Sequence, residues 1–231
     1  MSESNFLDNL KAFGLTGQEA GIYFSLLKNG AMSGYEVAKE TGISRSNVYS
    51  SLASLVDKGA AYIIDGDTTK YTPVEVNIFS KNVIRELEEK ACYLSKEAPS
   101  RKEETHGYIT ITGSKHIRNK IREMLESCEL RLYIMAESSV ISEFDSDLKK
   151  LIDKGYKIVI LTDEYNADKA MVYKTVPDKG QIRFITDSSY VLTGTLTDSE
   201  SDTCLYSSEP NLVSVMKEAL KNKISLISME A

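Results

Sequence analysis

The chain has 231 residues, 28 Lys+Arg against 34 Asp+Glu, and 42% hydrophobic residues. At roughly 150 residues per domain this length carries one or two domains, and the apolar fraction excludes a wholly disordered chain. No apolar run approaches the roughly 20 residues of a membrane-spanning helix, the first residues lack a basic and apolar leader, and three scattered cysteines (Cys92, Cys128, Cys204) make no disulfide framework, so a soluble cytoplasmic protein is expected.

Residues 1–75 read as helices followed by a hairpin. Phe6, Leu7, Leu10 and Phe13 recur at helical spacing, and Gly14 ends that helix. Thr16 and Glu19 form a T-x-x-E capping box, in which each side chain satisfies an orphan amide of the next helix. Ala20, Tyr23, Leu26 and Leu27 give that helix its apolar stripe, and Asn29-Gly30 ends it. Ser33 and Glu36 repeat the capping box ahead of a short helix with Val37 and Ala38, closed by Gly42. Ser44 is the next N-cap candidate, and Val48, Leu52, Leu55 and Val56 form the buried face of the helix that Gly59 ends. Residues 61–64 and 70–74, joined through Asp65-Gly66-Asp67, read as two strands of a hairpin.

Short helix, glycine turn, longer helix and hairpin make the layout of a winged helix-turn-helix. A tight turn lets the second helix project its N-terminal residues into a DNA major groove about 12 Å wide. On this reading Ser44, Arg45, Ser46, Asn47, Tyr49, Ser50 and Ser51 lie off the apolar stripe. Arg45 suits a guanine edge or a phosphate, Asn47 an adenine edge, and the serines either. Thr68, Thr69 and Lys70 sit on the wing, where backbone or minor-groove contacts are usual. Against DNA stands the charge of residues 1–75, 6 Lys+Arg against 9 Asp+Glu. The same pattern serves a solvated face or a protein-binding winged helix.

Residues 76–99 read as one helix. Ile84, Leu87, Ala91, Leu94 and Ala98 step by 3, 4, 3 and 4, a coiled-coil seam two heptads long with mixed charges around it. The seam either pairs two copies of the chain or packs as an amphipathic linker. Pro99 and residues 100–105 read as the linker to the last piece.

Residues 106–231 alternate strands and helices. Strands are expected at 108–112, 130–136, 156–162, 182–185, 190–196 and 203–206. One helix carries Ile117, Ile121, Met124 and Leu125 behind a Ser114 cap; a second runs over 140–154 with Phe144, Leu148, Leu151 and Ile152 inward. A short helix is expected near 167–173, and a last one with Leu212, Val215, Met216, Leu220 and Ile224. This alternation implies an α/β sandwich with a mainly parallel sheet, mixed at one edge. The chain as a whole is therefore an α+β multidomain protein.

Chemistry-bearing motifs are few. CxxC, HxH and HExxH spacings, phosphate-binding glycine loops and the GxSxG elbow are all absent from the sequence, so no metal site and no cofactor is expected. Asp163, Glu164, Asp187 and Asp198 fall near expected strand ends and offer the one enzymatic alternative, a phosphoryl-transfer or hydrolytic domain.

Gly14-Leu15-Thr16, Glu19-Ala20, Tyr23, Leu26-Leu27, Gly30, Val37-Ala38, the run 42–49, Leu52, Leu55, Lys58-Gly59 and Lys70-Tyr71 resemble the N-terminal domain of the TrmB-like transcriptional regulators. The resemblance implies operator recognition by Arg45, Ser46, Asn47 and Tyr49, with a linking helix that helps to pair two protomers. Residues 106–231 are similar to the phospholipase-D-like domain that follows the winged helix in many of these regulators, carried by Leu132-Tyr133-Ile134, Lys154-Gly155-Tyr156 and Val191-Leu192-Thr193-Gly194 among others. Active enzymes of that kind use H-x-K-x-x-x-x-D. Counting back from Asp187, the His position holds Gly180 and the Lys position Ile182, so the likeness implies a shared scaffold without a catalytic motif, and not an enzyme. Sugar-responsive members carry a further C-terminal domain that is not expected here. The α/β piece is left to bind a small-molecule effector at its strand ends, to pair with its twin, or both.

Overall fold

The computed structural model describes residues 3–99 and 107–230. The expected linker 100–105 and the first residue of the last piece, His106, lie outside them. The chain forms two compact units, residues 1–100 and 101–231.

In the first unit, α1 (Glu3–Ala12), α2 (Gly17–Asn29), α3 (Gly34–Thr41) and α4 (Arg45–Asp57) enclose one core with a small sheet. Both capping boxes form: Thr16 and Glu19 bond each other's backbone at the start of α2, and Ser33 and Glu36 do so at α3. The hairpin β2 (Ala61–Ile64) and β3 (Lys70–Pro73) is joined by a third, short strand that the sequence pattern did not announce, β1 (Met32–Ser33). The order is β1-β3-β2, all antiparallel. The centre of the core holds Tyr23, whose hydroxyl donates to the Val74 carbonyl at 2.6 Å and whose ring meets Phe79 at 5.6 Å. Phe79 lies on α5 (Val76–Glu97), so the start of that long helix is built into the core.

The second unit is a seven-stranded sheet in the order β4-β10-β9-β8-β5-β6-β7: β4 (Tyr108–Thr112), β5 (Arg131–Met135), β6 (Lys157–Thr162), β7 (Met171–Lys174), β8 (Gln181–Thr186), β9 (Tyr190–Thr195) and β10 (Thr203–Ser207). The expected mainly parallel sheet is corrected, because only β5–β6 and β6–β7 run parallel. The other four pairs are antiparallel. β8, β9 and β10 follow each other through short loops, and short loops join neighbours antiparallel. The helix expected near 167–173 is replaced by β7, whose conformation is set by its parallel pairing with β6.

Helix α6 (Ser114–Glu126) packs on one face with Ile117, Ile121, Met124 and Leu125 buried. Its N-cap is Gly113, not Ser114, which is already helical. The single helix expected over 140–154 is two, α7 (Ser138–Ser142) and α8 (Asp145–Asp153). The chain bends at Phe144, which is buried edge-on against Phe184 at 6.3 Å; tertiary anchoring there overrides helical continuity. On the other face lies α9 (Pro210–Glu230), with Val213 and Leu220 buried. Val215, expected inward, is exposed.

Candidate nucleic-acid interface

Gly42 closes α3 with φ 70°, a left-handed conformation that glycine adopts without a Cβ penalty. Three residues later α4 starts. Val48, Ser51, Leu52 and Leu55 face the core, which leaves Ser44, Arg45, Ser46, Asn47, Tyr49 and Ser50 on the outer side, all exposed. Ser51, read from the sequence as an outward residue, is buried and cannot reach a groove. Ser44 sits at the N-cap, yet its hydroxyl makes no hydrogen bond to the helix start. The first turn of α4 holds no acidic residue. Orphan amides, a partial positive charge and Arg45 therefore coincide there, the combination that attracts a phosphate.

Two neighbours position this face, and neither was singled out from sequence. Tyr35 on α3 lies under Arg45, whose guanidinium carbon is 4.6 Å from the ring centroid. Gly34 carries the ring of Tyr49: a Cβ built on Gly34 would come within 2.5 Å of Tyr49 Cε1. The signal was present in Gly34-Tyr35, two residues enclosed by the Ser33/Glu36 box on a helix too short to bury a tyrosine on that side. Tyr35 is half exposed.

On the wing, Thr68 and Thr69 are exposed in the loop between β2 and β3, and Lys70 opens β3. Lys70 pairs in register with Ser33 on one side and Ile64 on the other, which sets it beside the start of α3. The Ser33 backbone and hydroxyl bonds, assisted by the Lys70 charge, hold the Glu36 carboxyl below its ordinary range. Asp65 and Asp67 share the wing tip with the threonines. At the C-cap of α4, Lys58 binds Glu19 at 2.7 Å and the Gly14 carbonyl at 2.9 Å. Burial pushes the Glu19 carboxyl up, but bonds from Lys58, Ser54 and the Thr16 amide outweigh it and draw the group down to about 2.

The seam on α5 is solvent-facing. Ile84, Leu87 and Leu94 are 46%, 56% and 65% exposed, and Ala91 is exposed beside them. Ala98 falls outside the helix: it is the C-cap, with extended backbone.

The four carboxylates of the enzymatic alternative are not gathered. Asp187 accepts the backbone N–H groups of Glu129, Leu130 and Arg131 at 2.8–2.9 Å. Asp163 accepts from the amide of Ser138 at 2.7 Å, at the start of α7. Asp198 binds Arg118 at 2.7 Å, and Glu164 is exposed. Among the described residues no three His, Cys, Asp or Glu side chains cluster as metal ligands. Gly180 takes φ 70° with Thr197 Cγ2 filling the space of its missing side chain, and Ile182 is fully buried; neither position presents a reactive group.

Two family profiles match the chain. Residues 10–77 match the one described as sugar-specific transcriptional regulator TrmB. Residues 107–222, half of the chain, match the N-terminal subdomain of the effector-binding region of the same regulators. The chain belongs to the TrmB family of transcriptional regulators. It is similar to YrhO of Bacillus subtilis, 29% identical over 74% of this chain and 64% of that one. It is also similar to the sugar-sensing regulator TrmBL1 of Pyrococcus furiosus, 28% identical over 70% of this chain and 48% of that one. The chain thus spans between about half and two thirds of the length of these two relatives. Among solved structures, the archaeal chromatin protein TrmBL2 aligns with 97% of this chain and 99% of its own at TM-score 0.47 and 20% identity. NucT of Helicobacter pylori aligns with 52% of this chain and 97% of its own at TM-score 0.44 and 13% identity.

Proposed function

We propose that this TrmB-family protein is a sequence-specific, DNA-binding transcriptional regulator that acts as a homodimer on operator DNA. The observation that carries the proposal is the outer face of the α4 first turn: Arg45 oriented on Tyr35, no acidic residue in that turn, and Ser44, Ser46, Asn47 and Ser50 exposed around it. Arg45 and Asn47 read base edges, the serines and the helix start take phosphates, and Thr68, Thr69 and Lys70 contact the flanking backbone. The exposed Ile84, Leu87, Ala91 and Leu94 stripe pairs two copies and so presents two recognition helices to two half-sites. A small-molecule effector acts through the second unit, and it changes operator affinity only as far as it favours one state of the dimer over another.

The test is fluorescence anisotropy with duplex DNA from upstream of the protein's own gene, in a salt series, beside Arg45→Ala. Specific binding is expected, with log affinity falling by about 0.9 per phosphate contact against log salt and a loss of roughly 1–3 kcal/mol in the variant. Equal affinity for random DNA, or an unchanged Arg45→Ala, overturns the reading. That result would favour a protein-interaction adaptor, to which the Asp65 and Asp67 carboxylates at the wing tip lend support.

A further inference from the structure

Among the described residues, three helices cover one face of the seven-stranded sheet and α9 alone lies on the other. Beside α9 a cavity of about 590 Å³ opens between helix and sheet, a size typical of small-molecule sites. Its floor is a single row across four strands: Ile185 of β8 is in register with Tyr133 of β5, Tyr133 with Val159 of β6, and Val159 with Met171 of β7. At about 4.8 Å per strand this row is roughly 14 Å long, wholly apolar and aromatic apart from one phenol. Tyr173 lines the cavity from the adjoining row.

The wall is the side of α9 that carries Ser214, Lys217 and Lys221, three and four residues apart and so on one helical face. Lys157, the first residue of β6, adds a third ammonium to the lining, against which stands one carboxylate, Glu218. Lys217 and Lys221 occupy a spacing at which like charges repel. No carboxylate pairs with any of the three lysines within 4.0 Å among the described residues. A flat apolar floor under unpaired cations matches a ligand that is apolar in its body and negative at one end.

We propose that this cavity binds a small organic anion with a flat apolar body. The body lies on Tyr133, Met171 and Tyr173, since Ile185 and Val159 in the same row are themselves buried, and the phosphate or carboxylate meets Lys217 and Lys221. The inference rests on the effector part of the regulator reading, but its test uses no DNA, so failure of one is distinct from failure of the other.

Isothermal titration of the full chain with 1-naphthyl phosphate is compared with 1-naphthol and with inorganic phosphate. One saturable site is expected for naphthyl phosphate, with each fragment at least tenfold weaker. Lys217→Ala/Lys221→Ala removes two exposed side chains, leaves the circular dichroism spectrum unchanged and weakens naphthyl phosphate at least tenfold. Lys149→Ala/Lys150→Ala on α8, against the other face of the sheet, leaves binding intact. Absence of binding, equal affinity for naphthol, or an unaffected Lys217/Lys221 double variant overturns the proposal.

Discussion

The guanidinium of Arg45 rests 4.6 Å from the centre of the Tyr35 ring, and this contact ties the first turn of α4 to the first turn of α3. A long side chain on an exposed helix start loses rotamer freedom when it binds a ligand. Holding it on an aromatic face beforehand removes part of that cost, and among the described residues no carboxylate pairs with it.

Tyr35→Ala is therefore expected to weaken operator binding although Tyr35 itself need not touch DNA. Exposed cation–π contacts contribute about 0.5–1 kcal/mol, a two- to fivefold change in affinity. Tyr35→Phe keeps the ring and should bind within twofold of the parent in the same anisotropy assay. Equal loss in both variants would assign the effect to the hydroxyl.

Gly34→Ala should separate folding from recognition. The new methyl group displaces the Tyr49 ring, which is half exposed and free to swing outward. Stability is expected to stay within about 1 kcal/mol of the parent in thermal unfolding. Operator affinity is expected to fall roughly fivefold, about 1 kcal/mol.

Charging the α5 seam should dissolve the proposed dimer. Leu87→Asp/Leu94→Asp places two carboxylates on a stripe whose pairing requires apolar contacts. Sedimentation velocity should then report monomer at concentrations where the parent is dimeric. A parent that sediments as monomer at tens of micromolar would remove the basis for two-half-site recognition.

The Glu19–Lys58 pair predicts acid sensitivity in the first unit. The folded carboxyl titrates at about 2, against 4.5 for the free group. A lowered folded value means the stabilisation is complete above about pH 4.5 and is lost as pH falls towards 2. At about 1.36 kcal/mol per unit, the bonds to this carboxyl from Lys58, Ser54 and the Thr16 amide together contribute at most about 3–4 kcal/mol. Protection factors of the α2 and α4 amides, corrected for the slower intrinsic exchange in acid, should fall between pH 5 and 3, and Glu19→Gln should flatten that dependence.

Asp187→Ala removes the acceptor of three successive backbone N–H groups at the start of β5. Hydrogen bonds to a charged group are worth about 1.5–3 kcal/mol each at most, with strong overlap among three on one carboxylate. A loss of roughly 2–3 kcal/mol in the denaturant unfolding of the second unit is expected, with operator affinity unchanged. Asp187→Asn should recover part of the loss.

Features set within a few residues were legible in the sequence. Thr16 with Glu19, and Ser33 with Glu36, mark helix starts because both partners lie within one turn. Val48, Leu52 and Leu55 are spaced by the helix that buries them. What escaped depends on partners distant in the chain. Residues 171–174 are too short a run for Val172 and Tyr173 to announce a strand, and they become β7 by pairing with β6. Phe144 interrupts a good helical pattern because Phe184 holds it. Strand direction is not legible there, because alternation of helices and strands says little about a sheet whose later strands follow one another without helices. Within the interface, Arg45 was evident from its place in α4, but its support by Tyr35 exists only once α3 and α4 fold together.

The anchoring of α5 through Phe79 has a consequence for how such a chain changes length. Because the first turn of the helix is locked into the core, the azimuth of its apolar stripe is fixed relative to α4. One residue inserted between Val83 and Ile84 rotates Ile84, Leu87, Ala91 and Leu94 by about 100° away from the line they now follow. Seven residues bring them back to within about 20°. Insertions and deletions in this helix are therefore tolerated in steps of one heptad, and a reporter of operator binding across a series of one to seven added residues should show that periodicity.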